Sequence, residues 1–421
     1  MKNRLALVIW SMLLTAGSLV GATASHAGSA CSGIQVKPGN LTQSLVDSKP
    51  PGTTFCLLAG THEPATPIIV KPHDAFVGVG KVVVAGRGQV STAFVGFVGF
   101  QDWVTIRHLI IQGFTGSGFP GAIKPGGHWL VRGNIIRNNR NLGIEVSAGL
   151  QLVGNRIVFN GHFGLAGGIG RQMGVRIEDN ELAYNNTKHF SDGGGSKLYG
   201  STVGLTGVLW RDNWVHHNHG PGIWSDGNSG PGIEIVGNDV EWNTGPGILL
   251  EISHAHDIHD NVVRFNNAAL KGKSCWWGAQ IHIQNSDGVQ IYRNVVVDKG
   301  GTNGICLVDS ERDDKPPFGV TITGVSVHDN SITLSGTSQT GMVGGEYAPY
   351  DRDDVAFDRN TYRVPGRHLW WVWWNGEKRW SRWRGGLGQD RTGTLVLSGA
   401  RRHASPLPRF VRPPVMSTRK F

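Results

Sequence analysis

The stretch that decides the fold is residues 233–251, which read IEIVGNDVEWNTGPGILLE. Apolar residues alternate at Ile233 and Ile235, and this alternation predicts a short strand with one face buried. Asn238 follows the strand, and Asn243 comes five residues later. The local expectation is therefore a series of short strands separated by asparagine corners.

The same pattern recurs along much of the chain. An asparagine follows an alternating apolar segment at Asn134, Asn155, Asn180, Asn213, Asn238, Asn261, Asn294 and Asn330. A second asparagine follows five residues later in six consecutive cases, at Asn139, Asn160, Asn185, Asn218, Asn243 and Asn266. The first asparagines are separated by 21, 25, 33, 25, 23, 33 and 36 residues. The shortest spacings, 21–25 residues, give the minimum period, and a repeat of this period indicates one supersecondary unit per repeat.

We predict that the repeat forms an all-β solenoid, a right-handed parallel β-helix with one coil per period. Successive coils would pair as parallel strands about 4.8 Å apart, with inward aliphatic side chains stacked between coils. An asparagine at a tight corner tolerates left-handed backbone and can hydrogen-bond the asparagine of the next coil. A leucine-rich repeat would need a Leu-x-x-Leu-x-Leu frame, which is absent, and a propeller would need a period above about 40 residues.

Composition and the two ends complete the predicted organisation. The 421 residues include 62 glycines and only 17% charged residues, which favours short strands and turns over helices. We divide the chain into a secretory signal peptide (1–27), an N-terminal cap (28–63), the β-helix (64–362), and a Trp-rich C-terminal cap with a basic tail (363–421). The first cap is expected to contain a helix at Leu41–Asp47. The tryptophans between Leu369 and Trp383 are expected to cap the last coil, with a sugar-stacking surface as the alternative.

The predicted export of the chain favours disulfide formation and a location outside the cytoplasm. The four cysteines are expected to form two local disulfides, Cys31–Cys56 and Cys275–Cys306. Lipidation at Cys31 is the alternative to a cleaved signal peptide, but no Leu lies three residues before this cysteine. No other stretch approaches the ~20 apolar residues of a membrane-spanning helix. We therefore expect a soluble monomer, secreted or periplasmic, with no membrane partner.

The net charge favours one class of partner over another. A formal charge of +9 would attract an anionic polymer and speed the encounter with it. Export and the lack of any nucleic-acid-binding motif argue against nucleic acid. A polysaccharide or oligosaccharide substrate, anionic or neutral, is the expected partner.

One outward column of ionisable residues is the predicted site. Asp226 and Glu251 each lie 13 residues after the asparagine of their coil, and strand alternation points both outward. In the same frame, Lys197 and His282 occupy this column on the flanking coils, where they could compensate the repulsion between the two carboxylates. Trp224 lies beside the column, and the next outward column is expected to place Tyr199, Asn228, Ser253 and Gln284 against the substrate. A solvated polar stripe is the alternative interpretation.

Metal and cofactor binding are not predicted. The segments His216–His219 and His254–His259 are rich in histidine, but alternation sends neighbouring side chains to opposite sides and leaves no closed ligand set. Calcium bound by the acids of Glu311–Asp314 is conceivable but has no support in the sequence.

The repeat and its two ends resemble the pectate-lyase-like superfamily of secreted bacterial right-handed β-helix proteins. The repeat covers residues 64–362, Cys31–His62 looks like the start of such proteins, and Trp383–Asp390 is similar to endings of carbohydrate-active members. The resemblance implies a carbohydrate-directed role, although this scaffold carries hydrolases, lyases, epimerases and non-catalytic adhesins. Lys71-Pro72-His73-Asp74 only mimics the Asp-Pro-His-Asp motif of alginate epimerases, and the paired-Asp pattern of polygalacturonases is absent.

The leading functional hypothesis is a polysaccharide-degrading glycoside hydrolase. Asp226 and Glu251 on adjacent coils would lie about 5 Å apart, the separation of retaining enzymes. Lys197 and His282 would tune them, while Trp224 and Asn228 would contact sugar. The alternative is a polysaccharide lyase or uronate epimerase with Lys197 or His282 as the base. A non-catalytic glycan-binding surface protein is the third hypothesis.

Overall fold

The computed structural model describes residues 31–116, 120–167, 172–200, 205–227, 229–268, 274–310, 320–345, 354–366 and 370–398. Short strands pair in parallel from Ile34 to Leu397, and most coils contribute three of them. The predicted β-helix is confirmed. The predicted signal peptide lies outside the described residues, and the division into caps and coils stays a prediction. None of the helices in the described ranges is long and apolar enough to span a membrane.

The first sheet is formed by the strands that precede the first asparagine of each coil. Its strands are Ile34–Val36, Thr54–His62, Ala75–Ala85, Thr105–Arg107, Leu130–Arg132, Gln151–Val153, Gln172–Glu178, Leu205–Arg211, Ile233–Val236, His256–His259, Gln290–Tyr292, Val325–His328 and Val355–Asp358. Ala75–Ala85 is long enough to pair in both the first and the second sheet, so the two sheets are continuous there.

The second sheet lies between the first and second asparagines. Its strands are Ile110–Gln112, Ile135–Arg137, Arg156–Val158, Glu181–Ala183, Trp214–His216, Asp239–Glu241, Val262–Arg264, Val295–Val297, Ser331–Thr333, Thr361–Val364 and Thr394–Leu397. Each of these strands is only three or four residues long, because an asparagine corner closes it at both ends in the middle coils.

The third sheet follows the second asparagine and contains the predicted site. Its strands are Ile68–Ile69, Phe94–Val95, Ile123–Lys124, Ile144–Glu145, Phe163–Gly167, Gly194–Tyr199, Ile223–Asp226, Ile248–Glu251, Ile281–Gln284, Ile305–Asp309, Thr340–Gly344, Trp371–Trp373 and Gly376–Lys378. All neighbouring pairs are parallel except the last, which is an antiparallel hairpin.

Three helical segments are described over their full length, and all of them are short. The α-helix Gln43–Asp47 lies in the first cap, where Thr42 Oγ1 accepts a hydrogen bond from the Leu45 backbone N–H at 3.2 Å, so the predicted helix is confirmed and begins two residues later than expected. A 3₁₀ turn spans Cys275–Trp277 and a π-helical turn spans Arg382–Gly386.

The asparagine corners form two continuous hydrogen-bonded ladders. In the first, each Nδ2 donates to the Oδ1 of the next coil's asparagine at 2.9–3.0 Å, from Asn134 to Asn360, and the last donates to Asp390. In the second, Asn139 to Asn266 are linked in the same way and end on Gln280. The predicted coil-to-coil bond is therefore confirmed.

The left-handed backbone at these corners is not where it was predicted. It lies on the residue before the asparagine, as at Asp179, Asp212, Asp260 and Asp329, with φ of 54–56°. The asparagine itself keeps ordinary φ because its side chain must turn inward to reach the next coil. The prediction that asparagine adopts the left-handed conformation is wrong.

Both disulfides and the tryptophan packing on the last coil follow the sequence prediction. Cys31–Cys56 and Cys275–Cys306 are formed. Trp371 and Trp383 are buried on the last coil, and Trp383 Nε1 donates to Asp390 Oδ2 at 2.9 Å. Asp390 thus ends the first asparagine ladder and holds the tryptophan cap, so these two rings are not a sugar-stacking surface.

Candidate functional site

Strand pairing arranges the outward side chains of the third sheet in two columns. Column A contains Lys124, Glu145, Ala166, Lys197, Trp224, Leu249, His282 and Cys306. Column B contains Tyr199, Asp226, Glu251, Gln284 and Val308. Between the columns, the inward residues Ser225, Leu250 and Ile283 are fully buried. We call the outward surface of these strands the third-sheet face.

The predicted single column of Lys197, Asp226, Glu251 and His282 is wrong. Lys197 and His282 belong to column A, whereas Asp226 and Glu251 belong to column B. The chain between the corner asparagine and the third-sheet strand is longer in the coils of Lys197 and His282. Backbone hydrogen bonds between strands set the register, whatever the length of the segment before the strand. Counting residues from the corner asparagine through these insertions therefore selects a position two residues before the one that pairs with Asp226 or Glu251.

The predicted carboxylate pair does lie on adjacent coils. Ser225 pairs with Leu250, and the Gly227 backbone N–H donates to the Glu251 carbonyl at 3.2 Å, so Asp226 and Glu251 are neighbours in column B. Both side chains are partly exposed on the third-sheet face. Two outward carboxylates therefore occupy neighbouring strands, about 4.8 Å apart.

Lys197 reaches Asp226 despite the change of column. Its Nζ lies 3.0 Å from Asp226 Oδ2 and 3.5 Å from the centre of the Trp224 ring. The ammonium thus makes both an ion pair and a cation–π contact, and each fixes it above the strand that carries the two partners. Lys197 and Asp226 are each 18% exposed, so the pair remains within reach of a ligand.

Tyr199 and Glu145 extend the charged cluster toward the N-terminal coils. Burial raises the pKa of the Tyr199 hydroxyl, and the negative charges of Asp226 and Glu145 raise it further. Burial also raises the pKa of Glu145, while the nearby Lys124 ammonium opposes that shift. The small side chain of Ala166 separates Glu145 from Lys197 in column A. The result is a polar patch that extends over six coils, from Lys124 to Glu251.

Sequence reasoning missed Glu145 and Lys124, although a signal for the first was present. Gly143-Ile144-Glu145 repeats the pattern of Gly222-Ile223-Trp224, in which the residue after the isoleucine is a column A position. Extending that alignment two coils before Lys197 would have found Glu145. Lys124 follows Ile123 in a coil with Ala122 in place of the glycine, which obscured the match.

His282 and Ser253 are placed differently from their predicted roles. His282 is almost fully buried, and this burial lowers its pKa to about 4. Leu249 separates it from Trp224 in column A. Ser253 is also fully buried: its Oγ donates to the Glu251 carbonyl at 3.0 Å, and its N–H donates to Ser286 Oγ. The prediction that Ser253 points outward against the substrate is wrong.

The reason for the Ser253 error is local. Ile252 has a φ of 50°, so the regular alternation stops directly after Glu251 and the next side chain turns into the corner. Of the other predicted contacts, Trp224 and Gln284 lie on the third-sheet face, and Gln284 Nε2 donates to Ser310 Oγ at 3.2 Å. Asn228 lies outside the described residues.

A short insertion covers the C-terminal part of the third-sheet face. The turn Cys275–Trp277, here called the cover, is held to Cys306 of column A by a disulfide, and Trp276 Nε1 donates to Asn375 Oδ1 at 2.9 Å. Val308, Val343 and Val372, outward residues of the last three coils, are buried in one cluster with Cys275 of the cover, and Trp276 packs against this cluster. The accessible part of the face therefore ends near Gln284.

The side chains of the histidine-rich segments contact aromatic and acidic residues of their own and neighbouring coils. His216 stacks on Trp214 with 3.7 Å between ring centres, and His259 lies between Glu234 and Asp260. Within the described ranges, no three His, Cys, Asp or Glu side chains are grouped so that they could bind a metal ion. The acids of Glu311–Asp314 lie outside those ranges.

Comparison with known proteins agrees with the architecture. The family model described as "Right handed beta helix region" matches residues 203–346. A search of curated proteins found no match. The A-module of the mannuronan C-5 epimerase AlgE6 from Azotobacter vinelandii is similar, with 16% identity, a TM-score of 0.60, and coverage of 86% of this chain and 94% of that one. XylC in complex with xylose is 9% identical, with a TM-score of 0.50 and coverage of 86% of each chain. The chain therefore has the right-handed parallel β-helix fold.

Proposed function

We propose that the protein is a secreted or periplasmic polysaccharide-active enzyme, and that its active site is the third-sheet face around Asp226 and Glu251. The observation that carries this proposal is the grouping of two adjacent carboxylates with an ion-paired lysine and a tyrosine on an accessible, otherwise regular sheet. The fold likeness to a mannuronan epimerase module and to a xylose-binding protein supports a carbohydrate as the ligand. Two disulfides support folding outside the cytoplasm.

The favoured reaction is glycoside hydrolysis by the carboxylate pair. The strand spacing of about 4.8 Å supports this choice, because carboxyl groups about 5–5.5 Å apart are typical of retaining glycosidases. In this reaction Asp226, which is ion-paired with Lys197, acts at the anomeric carbon. Glu251, on the next coil, is placed to protonate the glycosidic oxygen and then to activate water.

Two neighbours assist in this scheme. Lys197 keeps the Asp226 carboxylate in position, and its contact with the Trp224 ring limits its own movement. The raised pKa of Tyr199 keeps the hydroxyl protonated, so it can donate a hydrogen bond to a sugar oxygen beside Asp226. Gln284, next to Glu251 in column B, is available for a further sugar hydroxyl.

A uronate lyase or epimerase is the second candidate, and one observation favours it. Lys197 and Tyr199 lie on one strand, so an ammonium group could neutralise a uronate carboxylate while the phenol exchanges a proton. The predicted bases are less suitable: Lys197 is ion-paired with Asp226, and His282 is buried. We therefore rank carboxylate chemistry first.

The experiment is a polysaccharide screen with wild-type protein and two variants, with and without EDTA. Glu251→Gln and Asp226→Asn should each lower turnover at least about 100-fold, the usual range for an essential acid–base group. Glu234→Gln is the matched control, because Glu234 is an outward carboxylate on the first sheet. Released reducing ends without unsaturated products support hydrolysis, whereas unsaturated uronate products support a lyase. Unchanged turnover in Glu251→Gln contradicts the proposal.

A further inference from the structure

Outward residues of the third-sheet face are partly exposed at Val95, Lys124, Glu145 and Lys197, toward what we call the open end of the face. They are buried from Cys306 onward, toward the closed end. The cover buries the outward side chains from Cys306 onward, only two strands beyond Glu251. In the N-terminal direction, five strand spacings separate Asp226 from the strand Phe94–Val95. At about 4.8 Å per spacing this is about 24 Å, the length of several sugar residues.

An exposed aromatic turn stands at the open end. Phe97 and Phe100 are 47% and 73% exposed, and Val98 between them is also exposed. We call Phe97–Phe100 the aromatic turn. A contiguous exposed apolar patch of this kind usually marks an interaction site, because leaving such side chains in water forfeits their burial energy.

The aromatic turn is a built element of the coil. Gln101 Oε1 accepts from the Phe97 N–H and Asp102 Oδ1 accepts from the Gly99 N–H, each at 3.0 Å. Asp102 Oδ1 also accepts from the Gly127 N–H at 2.7 Å, which fastens the turn to the next coil. The backbone that carries the exposed rings is therefore fixed to the coil by hydrogen bonds.

The turn is continuous with the candidate site. Phe97 comes two residues after Val95, which pairs with Lys124, and Lys124 Nζ lies 4.6 Å from the centre of the Phe97 ring. Lys124 in turn interacts electrostatically with Glu145, and Glu145 with Tyr199. Polar groups thus lie between Phe97 and Asp226 on every coil of the face except that of Ala166.

We propose that the aromatic turn forms distal sugar-binding subsites of the same site, and that the cover limits binding on the other side of Asp226 and Glu251. The substrate is then a polysaccharide bound mainly on one side of the reacting bond, and the enzyme acts close to a chain end. This inference rests on the proposed function. The aromatic rings and Lys124 give contacts for sugar faces and for hydroxyl or carboxylate groups.

Binding tests the distal subsites separately from turnover. The probes are sodium alginate, xylan and polygalacturonate, each cast into a native gel that retards a protein that binds it. The inactive Glu251→Gln variant should be retarded like the wild type by at least one polymer. Adding Phe97→Ala and Phe100→Ala to this variant should weaken binding about tenfold, the effect of losing an aromatic anchor. Phe159→Ala is the matched control, because Phe159 is 45% exposed at the corner after the second sheet.

Product analysis tests whether the cover restricts the enzyme to action close to a chain end. Wild-type protein should release short products early, while the mean length of the remaining polymer falls slowly. Retardation by none of the three polymers, equal binding by the double phenylalanine variant, or equal weakening by Phe159→Ala overturns the distal subsites. A rapid early fall in polymer length overturns action near a chain end. If Glu251→Gln turns over normally but the phenylalanine variant loses binding, the catalytic proposal fails and the subsites stand.

Discussion

Replacing Asn213 by alanine should destabilise the β-helix more than any exposed polar substitution. Asn213 is fully buried at the centre of the first asparagine ladder. Its Oδ1 accepts from the N–H and the Nδ2 of Asn180, at 3.0 Å each, and its Nδ2 donates to the Ile177 carbonyl and to Asn238 Oδ1, at 2.7 and 2.9 Å. Alanine removes all four hydrogen bonds.

The magnitude follows from the groups left without these partners. Asn180 Nδ2 keeps the Leu152 carbonyl, and Asn238 Oδ1 keeps the Asn213 N–H. The Asn180 N–H loses its ladder acceptor and the Ile177 carbonyl loses its ladder donor. At roughly 1–3 kcal/mol for each buried group, we expect the free energy of unfolding to fall by about 3 kcal/mol.

Urea denaturation followed by tryptophan fluorescence measures this change. The control is Gln151→Ala on the exposed surface of the first sheet, which should change the free energy of unfolding by less than about 0.5 kcal/mol. A loss in Asn213→Ala no larger than in the control would refute the reasoning that the ladder stabilises the solenoid.

Three further predictions follow from single features. His256 stands in an inward column between Ile233 and Val289, and burial lowers its pKa to about 4, against 6.5 for an unperturbed histidine. Since the unfolded chain takes up this proton first, stability should fall as pH drops from about 6.5 toward 4, and His256→Val should lessen that fall in urea titrations and raise stability by about 1 kcal/mol at pH 7. The double variant Cys275→Ser/Cys306→Ser should lose about 3 kcal/mol of unfolding free energy, measured by denaturation, because the cover loses its covalent link. Lys197→Met should lower kcat on the polymer identified by the screen at least about tenfold, since Asp226 loses its ion pair, while circular dichroism stays unchanged.

The coils could be predicted because their signals are local. An inward aliphatic position, a corner asparagine and the next strand all lie within a few residues, as in Ile233–Asn238, so the pattern survives insertions elsewhere. The disulfides could be predicted for the same reason, because each pair joins neighbouring coils. These features depend on distances of one coil or less.

The candidate site could be predicted only in part. Asp226 and Glu251 were placed correctly because their coils contain no insertion between the corner and the strand. Lys197 and His282 were misplaced by two residues because inserted segments shift the count while strand pairing does not move. The burial of His282 could not be predicted from the sequence, because it depends on the packing around Cys306, the strand neighbour that the disulfide joins to the cover.

The backbone conformation after the strand Ile248–Glu251 could not be predicted from the sequence either. Alternation alone extends the outward face through Ser253, but the left-handed Ile252 ends the strand and turns that side chain inward. A bulky β-branched residue at positive φ is rare, so residue type gave no warning.

The most direct test of the central claim is a crystal structure of the Glu251→Gln variant with an oligosaccharide from the polymer that retards it. The account predicts sugar density along the third-sheet face, with one residue within hydrogen-bonding distance of Asp226 and the chain extending toward Phe97. Sugar bound on the first or second sheet, with the face around Asp226 empty, would contradict it.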